Sequence, residues 1–268
     1  MKRKKTTLGD LGEKFFSWIQ LKNRELVRLG ELQTILRISN KQEKELLSRL
    51  SRKGYIIRLQ RGTYLVPQKL PPGGHWAPNE YTMIYELMKL LNADYQICGP
   101  LAFQKFGFNT QIPNIIAVYN TKKSGLTKIG KMTFQLIKIS PTRIGSREKI
   151  KLASGKIVYV SNLERTIMDA IYDYSRFNTL PIAYNWIIKY SHDPIFIKNL
   201  VKVVCRYSNV NTMRRVGYFL DKMGIDNKMT NPILSKLNKT QGWIPLIPSY
   251  AMKGVTNKKW GIIDNGLS

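Results

Sequence analysis

Apolar residues recur with helical spacing through the first fifty positions and then switch to alternation. Leu11, Phe15, Trp18 and Ile19 stand at i, i+4, i+7 and i+8, which predicts a helix with one buried face, opened by Asp10 and Glu13 as a capping box. Leu29, Leu32, Ile35 and Leu36 predict a second helix, after which Ile38 and Ser39 turn the chain. Asn40 is placed to cap a third helix. In it Leu46, Leu47 and Leu50 point inward, while Lys41, Lys44, Glu45, Ser48 and Arg52 centre on the opposite face with Gln42 and Arg49 on its flanks. Gly54 stops this helix, Ile57 and Leu59 share one face of a strand, and Arg61-Gly62 forms the turn of a hairpin running to Val66. Three helices with short turns followed by a hairpin predict a winged helix-turn-helix over residues 1–70.

The stretch Pro67 to Gly74, with three prolines and two glycines, suits neither a helix nor a strand interior, so residues 71–78 read as a linker. Beyond it the pattern mixes periods. Residues 81–91 and 100–106 read as helices, while 95–98, 115–119, 133–139 and 156–160 read as strands of a small sheet. From Ser161, placed to cap with Glu164, helical stripes dominate: Leu163 to Ile171, then 181–190, 196–207, 212–223 and 232–237. The fold class predicted is α+β, with the winged helix-turn-helix domain followed by a larger mixed domain over residues 79–268, its helices gathered late in sequence.

Charge sharpens the first domain. The 268 residues carry 44 Lys and Arg against 17 Asp and Glu, a net charge of +27, which attracts polyanions at long range. Residues 1–70 hold 17 of those cations against 6 acids, about twice the net charge per residue of the remainder. Lys2, Arg3, Lys4 and Lys5 form a basic arm; Thr6, Thr7 and Gly9 follow where an export signal needs an apolar run. With duplex DNA as the partner, Lys41, Gln42, Lys44, Ser48 and Arg52 face the major groove, Arg58 and Arg61 reach from the wing, and the arm adds phosphate contacts.

Catalytic signatures are sparse. His75 and His192 are too few for a histidine metal site or a serine triad, and Cys98 and Cys205 lack partner spacing, which suits reduced thiols in a cytoplasm. There is no Asp-x-Asp or Glu-x-Lys pattern, no phosphate loop and no dinucleotide fingerprint. Gly145-Ser146 reads as a turn, and Asp169 and Asp173, with Glu164, read as structural acids of a helix before they read as cation ligands. No cofactor is expected and the chain is read as a non-enzyme; no run of 18 apolar residues suggests a membrane span. The aromatic residues Tyr172, Tyr174, Phe177, Tyr184, Trp186 and Tyr190 read as core. Arg143, Arg147, Arg214 and Arg215 read as a surface for nucleic acid or for an acidic protein.

Two sets of residues resemble the AbiEi-type antitoxins of type IV toxin-antitoxin systems, associated with abortive phage infection. The first is Leu47-x-x-Leu50-x-x-x-Gly54-Tyr55-Ile56 with Arg61-Gly62-Thr63-Tyr64-Leu65-Val66-Pro67, similar to that family's winged helix. The second is Gly99 to Phe103 with Val160 to Asp169, similar to its antitoxin domain. The resemblance implies a transcriptional autorepressor that binds the operator of its own operon and counteracts a nucleotidyltransferase toxin encoded beside it. Carried onto this chain, toxin counteraction would fall on Arg165 and Asp169, although the residues themselves read better as parts of a core helix with a capped start. The alternative is a winged-helix regulator whose second domain senses a ligand or forms a dimer; a nucleic-acid-processing enzyme with a dispersed site is the third reading.

Overall fold

The structure, a computed structural model, describes residues 8–111, 113–237 and 242–266. It is a mixed α+β fold that divides into two compact units, Met1–Leu90 with Thr127–Thr133, and Leu91–Leu126 with Phe134–Ser268. The division therefore follows the helix after the Pro/Gly-rich stretch. Within the first unit that stretch is tied down: Trp76 donates its backbone N–H to the Gly54 carbonyl at 3.0 Å, and a Cβ on Gly74 would lie 2.1 Å from the Tyr55 ring. Among the described residues no helix is long and apolar enough to cross a membrane.

The first unit runs α1 (Asp10–Leu21), β1 (Leu26–Arg28), α2 (Leu32–Leu36), α3 (Asn40–Arg52), β2 (Ile57–Gln60), β3 (Thr63–Leu65) and α4 (Glu80–Leu90). Its three strands form an antiparallel sheet in the order β1-β3-β2. Phe15, Phe16 and Ile19 of α1, Leu46, Leu47 and Leu50 of α3, and Val27 and Leu32 between them close one core. The apolar stripes that predict α1 and α3 are thus the faces that pack.

Several local expectations are corrected. Gly9, at φ 73°, precedes α1 with no side-chain cap, and Asp10 pairs instead with Lys14 at 2.9 Å. Ser39, not Asn40, caps α3 in a reciprocal box: Gln42 N donates to Ser39 Oγ at 3.3 Å and Ser39 N donates to Gln42 Oε1 at 2.8 Å. The expected helix start at Leu29 lies beyond the end of β1; α2 is five residues long, and Leu29 and Ile35 are exposed.

A six-stranded sheet is made of β4 (Tyr95–Cys98), β5 (Ile115–Asn120), β6 (Gly125–Ile129), β7 (Met132–Lys138), β8 (Arg147–Lys151) and β9 (Ile157–Ser161), in the order β6-β7-β5-β4-β9-β8; all of it belongs to the second unit except Thr127–Thr133 of β6, β7 and their turn. β4 and β9 pair in parallel at its centre, and β4 is buried at every position. Helix α5 (Pro100–Lys105) follows β4, and α6 (Leu163–Tyr172), α7 (Tyr174–Phe177), α8 (Ile182–Tyr190), α9 (Pro194–Tyr207), α10 (Val210–Lys222) and α11 (Asn227–Leu234) gather after β9. Their shared core includes Ile167, Tyr184, Trp186, Leu200, Val204, Phe219 and Trp260. Tyr172, Tyr174, Phe177 and Tyr190 pack on its border, in keeping with a structural role. A small sheet of β10 (Ile244–Pro245), β12 (Ile262–Asp264) and β11 (Val255–Asn257) closes the chain. The cap of α6 is Asn162, whose Oδ1 accepts from Arg165 N at 3.0 Å, and not Ser161.

Candidate nucleic-acid interface

Glu43 fixes α3 against α2. It lies at i−3 from Leu46 and i−7 from Leu50, so helical geometry carries its carboxylate into the interior, where it is fully buried. Backbone N–H groups of Gly30 and Leu32 donate to Oε1 at 2.8 and 3.0 Å, and Gln33 Nε2 donates to Oε2 at 2.9 Å. The first turn of α2 has no cap of its own, and Glu43 satisfies donors that burial would otherwise leave unpaired. Arg37, at φ 53°, then reverses the chain between the helices, with Ile38 N donating to the Gln33 carbonyl at 3.1 Å.

With the apolar stripe and Glu43 turned inward, Lys41, Gln42, Lys44, Ser48 and Arg52 are exposed on the other side of α3. Arg58 on β2 and Arg61 in the β2–β3 turn are exposed too. Gln42 is already engaged in the Ser39 box; among the described residues the other six make no side-chain hydrogen bond or ion pair within the chain. Gly62, at φ 73°, provides the left-handed residue the turn needs, and its carbonyl accepts from Leu29 N at 2.8 Å. That contact brings β1 beside the turn, where Arg28 pairs in register with Thr63 and is itself exposed. Sequence reasoning missed Arg28 because β1 is only three residues long, too short for a period to announce it. Lys2, Arg3, Lys4 and Lys5 lie outside the described residues.

The second-unit candidates occupy an interior. Arg165 Nε donates to Asp169 Oδ1 and Oδ2 at 2.9 and 3.0 Å, and neither side chain is exposed. The terminal nitrogens of Arg165 have no hydrogen-bond acceptor among the described residues; its Cζ stands 4.6 Å over the Tyr207 ring. Burial pushes the Asp169 carboxyl up against the pull of Arg165, while Asp169 holds the Arg165 guanidinium up against its own burial. The single Nε–H is shared between both carboxylate oxygens, within ion-pair distance, and we read both groups as charged. Tyr119 donates its hydroxyl to Asp173, and Arg143 stacks 4.0 Å over Tyr172. Among the described residues no group of three His, Cys, Asp or Glu is arranged to hold a metal ion.

The four arginines expected to form a surface are internal ties instead. Arg214 and Arg215 are buried: the first donates to the carbonyls of Trp260, at 2.7 Å, and of Gly261, the second to that of Pro245 at 3.2 Å. Arg147 binds the Tyr95 carbonyl at 2.7 Å, and Arg143 the Tyr207 carbonyl at 3.3 Å. Their position on helix and strand could not reveal these partners, which lie up to 64 residues away in sequence.

Residues 25–163 match the model of DUF6088, a family of unknown function, and the match spans half of the chain, so the chain belongs to that family. The crystal structure of the Rv2827c protein from Mycobacterium tuberculosis is similar to it, with a TM-score of 0.61 at 13% identity, over 95% of this chain and 91% of that one. At this identity the likeness is one of fold. No curated protein matches the chain.

Proposed function

We propose that this chain is a winged-helix DNA-binding protein that represses its own operon and, as the antitoxin of a type IV toxin-antitoxin system, counteracts a nucleotidyltransferase toxin. The observation that carries the DNA-binding half is α3: an inner face locked by Leu46, Leu50 and Glu43, and an outer face of Lys41, Lys44, Ser48 and Arg52 without side-chain hydrogen bonds or ion pairs among the described residues. The order α1-β1-α2-α3-β2-β3, with β1 pairing the hairpin, supports a winged helix in which α3 enters the major groove and the β2–β3 turn is the wing. Lys41, Lys44, Ser48 and Arg52 contact base edges and phosphates, Gln42 sits at the edge of that face, and Arg58, Arg61 and Arg28 meet the backbone from the wing.

The antitoxin half rests on the resemblance of Gly99 to Phe103 and Val160 to Asp169 to that family's second domain. Burial argues that Arg165 and Asp169 serve it by holding α6 in place and not by touching a toxin. A test separates the halves. The full chain and its Lys44→Glu/Arg61→Ala variant are co-expressed with the adjacent gene, and growth is scored beside a reporter driven by the operon promoter. The wild type is expected to restore growth and repress; the variant is expected to restore growth without repressing. Absence of toxicity from the adjacent gene, or no rescue by the wild type, removes the antitoxin reading, and an unrepressed reporter removes the autorepressor reading.

A further inference from the structure

Helices α9 and α11 border a groove of about 1080 Å³ in the second unit, with a floor that includes Val201 and Met229. Five cations line it: Lys198, Lys202 and Arg206 from α9, and Lys228 and Lys236 from α11 and its C-terminal end. The three on α9 are spaced at i, i+4 and i+8, so they rise along one face at about 6 Å intervals. All five are exposed, none is ion-paired among the described residues, and the described lining contains no Asp or Glu. Lys236 Nζ donates to the Cys205 carbonyl at 3.1 Å, which aims it across the groove mouth.

We propose that this groove binds a phosphorylated ligand of nucleotide size. Small-molecule sites are concave, with volumes of about 300–1,000 Å³, largely apolar walls and a few converging polar groups. A duplex needs no such depth, and a purely ionic surface needs no apolar floor. The lining here asks for both parts of a nucleotide, a flat apolar body against Met229 and several negative oxygens among the cations. Uncompensated like charges around one cavity oppose folding, so an anion bound there relieves repulsion and stabilises the folded chain. Tyr207 lines the same groove while its ring covers buried Arg165, so occupancy reaches the α6 ion pair through one side chain. The proposal does not rest on DNA binding by the first unit, and loss of either leaves the other standing.

The test uses the full chain with ATP as probe, followed by calorimetry and by the thermal midpoint, with inorganic pyrophosphate as competitor. The expected result is saturable ATP binding that raises the midpoint and is displaced by pyrophosphate. Lys202→Glu should weaken it by about tenfold or more, because reversing one charge beside a phosphate replaces attraction with repulsion. Lys149→Glu, the same change of net charge on exposed β8, should leave it within about twofold. The proposal is overturned by no ATP binding at millimolar concentration, or by equal losses in the two variants.

Discussion

The carboxylate of Glu43 accepts the backbone N–H of Leu32 at 3.0 Å, so a residue inside α3 caps the start of α2. The two helices are thereby held in one register by a buried acid and not by apolar packing alone. Glu43→Ala leaves the Gly30 and Leu32 donors unpaired and opens a cavity. We expect a loss of about 2–4 kcal/mol in urea unfolding. Glu43→Gln retains an acceptor oxygen and should cost less than half as much; equal losses would show that acceptance by Oε1 is not what Glu43 contributes.

Arg165 and Asp169 make the corresponding tie in the second unit. Asp169→Ala leaves a buried guanidinium without its counter-ion, and about 3–5 kcal/mol of stability should be lost. Arg165→Met combined with Asp169→Ala removes the stranded charge, and the double variant should unfold at a higher urea concentration than Asp169→Ala alone. A double variant no more stable than the single one would contradict an ion pair at this position.

Burial pushes the Cys98 thiol and the Tyr119 hydroxyl well above their ordinary values of 9.0 and 10.0, and burial also raises Tyr184 and Tyr218. Each of these groups keeps its proton longer when folded than when unfolded. The stability they contribute is fully present below the unfolded values and is lost as pH rises above about 9 toward the folded ones. The urea midpoint should therefore be level in this respect up to pH 8.5 and fall between pH 9 and 10.5. Cys98→Ala should make the earliest part of that fall shallower. A midpoint that rises over this range would reverse the assignment.

Much of the first unit was legible because its long stripes pack as written: Leu46, Leu47 and Leu50 of α3, and Phe15 and Ile19 of α1, are core. Glu43 could have been read as well, since an acid on an apolar stripe asks for a buried partner. Strand β1 could not, because three residues are too short for any period, and its pairing with β3 spans nearly forty positions. Strand β8, Arg147–Lys151, is charged at every position but Ile150 and lies at the sheet edge, so its sequence looks like a solvated loop. In the second unit Arg214 and Arg215 read as surface because charge is usually exposed. The carbonyls that hold them belong to a terminal segment whose return the local sequence does not announce. The α9 cations carry a visible i, i+4, i+8 spacing, but the opposite wall of the groove comes from α11, which was expected five residues later than it starts.

The central claim is that α3 and the β2–β3 turn hold DNA. The most direct measurement is fluorescence anisotropy of the full chain with duplex DNA from upstream of its own gene, over a series of salt concentrations. Affinity should fall steeply with salt, and Arg61→Ala should weaken binding and reduce the slope of log K against log salt by about 1, the signature of one lost phosphate contact. Lys44→Ala should weaken binding as well, whereas Lys149→Ala on β8 should not. Unchanged affinity and slope in both Arg61→Ala and Lys44→Ala would contradict the account.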